Sequence, residues 1–368
     1  MWRTGSQFGG LGLSTMGNDA RRAGRASPWL VGLALATQFA ALLAPLDAWA
    51  AQCRPRRPLP FVILRSMGPC NFDVETLSFA GDVLQQAACL IRPVNRWAHL
   101  GPPLENLPKV LADRVGRSEL LPDRPSLAAL LADSGLDPRF ADGLYGQLSR
   151  AHDGDPFSPT ARYFVIHDTS GPKLGSFPAD LDFNPRLNNL ARFRCSDSFE
   201  IAHAVINRMG GIFLGHDFGV PWRSTKFERA LFFGTALKGL FIHVEMIQPR
   251  RGGPGHHAND IAAPNPGFSV AQYDRLALLY TIASVRAGEW LIPAFHAVID
   301  GDLRGGHDDP QNFELAAFAQ ALDGILERLS GEAGHGEAHG EVQGEPHGDE
   351  HGVERSDERG AAPTEGPQ

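Results

Sequence analysis

Arg162-Tyr163-Phe164-Val165-Ile166-His167-Asp168-Thr169 is a compact apolar and aromatic run that ends in a histidine and an aspartate. β-Branched and aromatic residues at successive positions predict a buried strand with polar chemistry at its end. Downstream, Ile201-Ala202-His203-Ala204-Val205-Ile206 leads through Met209-Gly210-Gly211 into Ile212-Phe213-Leu214, which reads as a hairpin. Leu240-Phe241-Ile242-His243-Val244-Glu245-Met246 alternates, so Leu240, Ile242, Val244 and Met246 share one face while Phe241, His243 and Glu245 share the other. Ser269 with Gln272 three residues on predicts a capped helix, whose apolar positions Leu276, Leu279, Tyr280 and Ala283 recur at helical spacing. A last helix is expected from Asn312 to Leu329. Interleaved strands and helices predict a three-layer α/β domain over residues 156–330, a mixed central sheet flanked by helices.

Outward from this domain the character changes. Residues 51–155 are rich in Pro, Leu, Ala and Arg, with helix-like stretches at Glu75 to Arg92 and Pro125 to Ser134, and read as a mainly helical accessory region. The first fifty residues have an arginine-containing start, an apolar run from Trp29 to Ala44 and Ala48-Trp49-Ala50 as a small-x-small site. That pattern predicts a cleaved signal peptide over residues 1–50, no stable membrane span after cleavage, and an exported, periplasmic or extracellular protein. Cys53, Cys70, Cys89 and Cys195 all follow the site and allow two disulfides in any of three pairings. Residues 331–368 are rich in Gly, Glu and His, carry His335, His339, His347 and His351, and have too few apolar residues to offset the entropy of ordering, so a disordered tail is expected. With +2 in the first fifty residues and −8 after residue 330, about −2 of the formal −8 falls on the body. Such a body has no basic face that would draw nucleic acid.

The chemistry-bearing residues are His167 at the strand end, Glu245 on the second strand, and His296 with His307-Asp308-Asp309-Pro310. Catalytic zinc takes three protein ligands from histidine and carboxylate, often on separated segments, and keeps one position open. His167, His296 and Asp309 would supply such a set for Zn2+, and Glu245 would serve as general base toward an attacking water. His203, His243 and His216 are competing ligands, and Asp302 competes with Asp309. His256 and His257 lie in a long Gly- and Pro-rich loop between Arg250 and Pro266.

These segments resemble the type 2 N-acetylmuramoyl-L-alanine amidases, the family that includes phage amidase endolysins and animal peptidoglycan recognition proteins. Phe164-Val165-Ile166-His167 is similar to the first-ligand strand, His203 to Gly211 to the hairpin that follows, and Phe241 to Met246 to the strand bearing the catalytic acid. His296 and Asp309-Pro310 look like the last two ligands and their proline. The resemblance spans about residues 160–325. It implies an amidase/PGRP-like fold, zinc on His167, His296 and Asp309, Glu245 as base, and a peptidoglycan or muropeptide substrate cut between N-acetylmuramic acid and L-alanine. Many members carry lysine two residues before the last ligand, where a cation stabilises the oxyanion; here His307 stands there, with Asp308 beside it to favour its protonation. Many also carry glycine before the second ligand, where this chain has Phe295. Two other classes compete with an amidase: a peptidoglycan-binding module without catalysis, and an exported metal-handling protein dominated by its histidine-rich tail.

Overall fold

The computed structural model describes residues 70–95, 99–194, 202–252, 262–301, 303 and 305–336, the side chains of 332–336 excepted. All belong to one compact unit. The run at 163–168 forms β1 (Tyr163–Asp168), buried at every position. Around it lie β2 (Ala204–Ile206), β3 (Ile212–Leu214), β4 (Phe241–Met246) and β5 (Ile292–Phe295), in the spatial order β3-β2-β4-β1-β5. β2, β4, β1 and β5 run parallel, and β3 returns antiparallel beside β2 as the expected hairpin. A mixed central sheet flanked by helices is the observed architecture.

Register decides which residues meet. Tyr163, Val165 and His167 stand opposite Phe241, His243 and Glu245, so all six project from one face. Phe164, Ile166, Ile242 and Val244 project from the other. That second face packs on α3 (Val270–Ala287), where the Tyr280 ring lies 5.2 Å from Phe164, and α5 (Leu315–Gly336) packs outside it through Phe318, 5.8 Å from Tyr280. Helix α3 starts as expected: the Ser269 hydroxyl accepts from the Gln272 amide while the Gln272 side chain accepts from the Ser269 amide. It ends at Gly288, whose φ of +85° suits glycine.

The first face is covered by residues from the N-terminal region. The Tyr163 hydroxyl donates to Gln86 Oε1 on α1 (Val83–Leu90) and accepts from the Phe79 amide, and the Phe72, Phe79, Phe227 and Phe233 rings cluster beside it. Leu90, Leu127 of α2 (Arg124–Asp133) and Leu144 share one apolar core with the sheet, but α2 and the turn after it pack against α3 and α5 on the second face, where Arg275 donates to the Ser134 carbonyl and Arg286 to the Gln147 carbonyl. The short α4 (His296–Ile299) follows β5 without a break.

Helix expectations need adjustment at their ends. The stretch from Glu75 is not helical until Val83: residues 72–73 and 78–79 pair as short strands, Gly81 has φ +93°, and Asp82 forms a capping box with Gln85. A residue that satisfies the first free N–H groups of a helix defines its start, and here that residue is Asp82. The last helix begins at Leu315, after Asn312 at φ +54°, and continues to Gly336, six residues into the segment expected to be tail. A disulfide joins Cys70 to Cys89 on α1. Cys53, Cys195, the signal-like segment, residues 253–261 with His256 and His257, Asp302, and the tail from residue 337 lie outside the described residues. Among the described residues no helix is long and apolar enough to cross a membrane.

Candidate metal centre

Parallel strands gather chemistry at their carboxyl ends, because successive strands all finish on one edge of the sheet. His167 is the penultimate residue of β1, Glu245 the penultimate residue of β4, and His296 the residue after β5. Asp309 comes from the loop ahead of α5 and is anchored where its carbonyl accepts from the Ala297 amide at 2.7 Å. Its Oδ2 also accepts from the Asp168 amide at 3.0 Å, which ties the loop to the end of β1.

The three expected ligands converge. His167 Nδ1 lies 2.8 Å from His296 Nδ1, and Asp309 Oδ2 is 3.1 Å from His296 Nδ1 and 3.8 Å from His167 Nδ1. All three side chains are buried, and their ligand atoms lie within 4.8 Å of one another. The His167 and His296 rings are inclined at 58° and so are not stacked face to face. Ligand bonds of about 2.0–2.1 Å in a tetrahedral site put nitrogens roughly 3.3 Å apart, close to the separations found. The donor set therefore fits a metal ion.

Each histidine gives its remaining nitrogen to a buried partner. His296 Nε2 lies 3.1 Å from Asp300 Oδ2, one helical turn along α4, and Asp300 Oδ1 accepts from the Phe227 amide at 2.9 Å. His167 Nε2 lies 3.0 Å from His243 Nδ1, and His243 Nε2 lies 3.2 Å from Glu228 Oε1. Partners of this kind orient a ligating imidazole and fix its tautomer.

A second grouping, His296, Asp300 and His307, is also compact. It fits an ion poorly. The His296 and His307 rings are stacked 4.2 Å apart at only 21°, and a metal bound in the plane of one ring cannot lie near the plane of the other. His296 Nε2 is moreover already engaged by Asp300.

Electrostatics follow from burial and these contacts. Burial alone would lower the His296 pKa, but Asp309 and Asp300 outweigh it and raise it to about 10. Burial would raise Asp309 and Asp300; instead His296, with help from His307, holds both below the ordinary carboxylate range. Asp168 behaves differently: burial pushes it up to about 7 against the pull of Arg250, whose Nη2 sits 2.8 and 2.7 Å from its two oxygens.

Glu245 is buried, 6 % exposed, and its register opposite His167 puts it on the face of the ligands. His307 is open to solvent, its side chain 40 % exposed, with Nδ1 3.4 Å from Asp309 Oδ1. Asp308, expected to act on His307, faces elsewhere: its Oδ2 accepts from Gln311 Nε2 at 2.9 Å and its Oδ1 lies 3.8 Å from Arg250. Asp309 and Asp300 are the acids that meet His307, the latter accepting the His307 amide at 3.5 Å. Phe295, where a glycine is common in the resembled family, keeps extended backbone and packs its ring 4.9 Å from Phe313. Of the competing ligands, His203 stays off the centre, donating Nε2–H to the Val220 carbonyl while Nδ1 accepts from the His243 amide, and His216 lies against Trp222.

Glu228 and Asp300 were not singled out from sequence, although each left a signal. Thr225-Lys226-Phe227-Glu228 has the Thr-x-x-Glu spacing of a capping box, and the structure shows it: the Glu228 amide donates to Thr225 Oγ1, and the Thr225 amide to Glu228 Oε2. Asp300 stands four residues after His296. Compared with known proteins, the chain matches no family model, no curated protein and no solved structure.

Proposed function

We propose that this protein is an exported zinc hydrolase that cleaves the amide between N-acetylmuramic acid and L-alanine in peptidoglycan or muropeptides. The observation that carries the reading is the convergence of His167 Nδ1, His296 Nδ1 and Asp309 Oδ2 beside a buried glutamate placed in register with the first ligand. Two histidines and a carboxylate are a zinc-type donor set that leaves a position for substrate. Zinc held there supplies Lewis-acid activation of a water and of the scissile carbonyl. Glu245 takes one proton from the attacking water as the new C–O bond forms, then delivers it to the leaving nitrogen as the C–N bond breaks. His307, at the solvent side, donates a hydrogen bond to the carbonyl oxygen as negative charge develops. The Cys70–Cys89 disulfide and the signal-like N-terminus support an oxidising, extracytoplasmic setting.

The test is zinc content and release of stem peptide from muropeptides, measured side by side on the purified protein. About one zinc per chain with released peptide is expected. Zinc without release would move the reading to a binding module, and no zinc would overturn it.

A further inference from the structure

We propose that Glu228 and His243 are positioning residues: together they form a buried relay that sets which nitrogen of His167 carries a proton, so that Nδ1 faces the metal position bare. The inference rests on the metal reading above and goes beyond its ligands. Glu228, His243 and His167 are all inaccessible to water, so each polar atom must find its partner within the protein. An ionised carboxylate can only accept. Glu228 Oε2 already accepts from the Ser224 amide at 3.1 Å, the Thr225 amide at 2.9 Å and the Thr225 hydroxyl at 2.8 Å, leaving Oε1 for His243 at 3.2 Å.

The direction then propagates. His243 donates from Nε2, and with one proton on each ring its Nδ1 accepts, His167 donates from Nε2 at 3.0 Å, and the lone pair of His167 is left at Nδ1. The same turn serves the second ligand. Asp300, which receives His296 Nε2, is held through Oδ1 by the Phe227 amide, the residue before Glu228. One five-residue turn, 224–228, thus presents both Nδ1 atoms to one position. His203 stacks on His243 at 14° and accepts the His243 amide, which fixes where that ring sits.

Glu228→Gln decides the matter because the amide has a polarity. Its oxygen must stay with the Ser224 and Thr225 amides, so its NH2 turns toward His243 Nε2 and forces the proton of His243 to Nδ1. His167 then accepts at Nε2 and is protonated at Nδ1, where the metal should bind. Zinc affinity, read by chelator competition, is expected to fall by about 10–100-fold, with the native circular dichroism retained. Glu228→Met removes the acceptor without inserting a donor, leaves His243 free to choose, and is expected to weaken zinc less. A merely structural role predicts the opposite order, since Met leaves the amides of the turn unpaired while Gln does not.

Nitrogen-15 spectra of the histidines give a second readout that needs no metal. Wild-type His243 is expected as the Nε2–H tautomer and the Gln variant as Nδ1–H. Unchanged zinc affinity in Glu228→Gln, a greater loss in Glu228→Met, or Nδ1–H at His243 in the wild type would each overturn the relay. Failure of the wild type to bind zinc would overturn the metal reading instead, and the tautomer of His243 would still decide the relay.

Discussion

The two faces of the central sheet are built from the same strands and do opposite things. On one, the apolar side chains of Phe164, Ile166, Ile242 and Val244 share the core with α3, where Phe164 meets the Tyr280 ring and the Tyr280 hydroxyl turns away to donate to the Leu291 carbonyl. On the other, Tyr163, Val165 and Phe241 begin an apolar packing that gives way, toward the strand ends, to His167, His243 and Glu245. The first face needs only apolar residues of suitable size, and its stabilisation scales with area removed from water. The second face buries donors, acceptors and charges whose stabilisation depends on every partner being present. One face is tolerant and the other is specific, and substitutions should separate them.

The largest effect is expected on the specific face. Asp309→Ala removes one of three ligands; if a structural-strength zinc site of about 10–16 kcal/mol is shared roughly equally, zinc should weaken by about 10²–10⁴-fold. Equilibrium dialysis checks this, and retention of tight zinc would show that the ion sits elsewhere. Next comes Glu245→Gln, which keeps shape and burial while removing the base: release of stem peptide should drop by about 10²-fold or more with zinc content unchanged. Unchanged turnover in the zinc-loaded variant would exclude Glu245 as the base.

The tolerant face should show the reverse pattern. Ile242→Ala leaves a cavity between β4 and its helix layer and is expected to cost about 2–5 kcal/mol in denaturant unfolding. Zinc stoichiometry should be preserved, because Ile242 and the ligands project from opposite faces. Loss of zinc in a folded Ile242→Ala protein would mean that the two faces are coupled through the sheet.

The same contrast explains what the sequence made legible. Strands β1 and β4 and the hairpin could be read from alternation and apolar runs, and α3 from Ser269 and Gln272, because those signals are local and repeat at the period of the element. His167, His296 and Asp309 could be gathered as a candidate set from their donor types and from the resemblance to the amidases, while the parallel strands that bring His167 and His296 to one edge became visible only in the fold. Glu228 could not be reached that way. Its partner His243 lies fifteen residues on and pairs with it only after the 224–228 turn folds back under β4, a tertiary fact with no periodicity. Asp308 misled for a related reason: adjacency in sequence placed it beside His307, whereas Gln311 and Arg250 claim its oxygens in the folded chain.

The smallest expected effect is a pH dependence that belongs to the specific face alone. His203 is fully buried, and burial, with His243 beside it, lowers its pKa well below 6.5. In the native protein it stays neutral; in the unfolded chain it takes a proton once the pH falls below about 6.5. Above that value the two states bind the same number of protons there, so His203 leaves stability unchanged. Below it the unfolded state binds more, and stability falls by about 1.4 kcal/mol for each pH unit until the native pKa is reached. His296, raised to about 10, and Asp168, raised to about 7, also contribute in this window, but equally in the wild type and in a His203 variant, so the difference between the two isolates His203. For chelator-treated protein, Tm should therefore fall more between pH 6.5 and 5.5 in the wild type than in His203→Gln, whose carboxamide can still accept from the His243 amide and donate to the Val220 carbonyl. Equal slopes in the two proteins would show that His203 takes up a proton without unfolding, and that this part of the polar face is less dry than its packing implies.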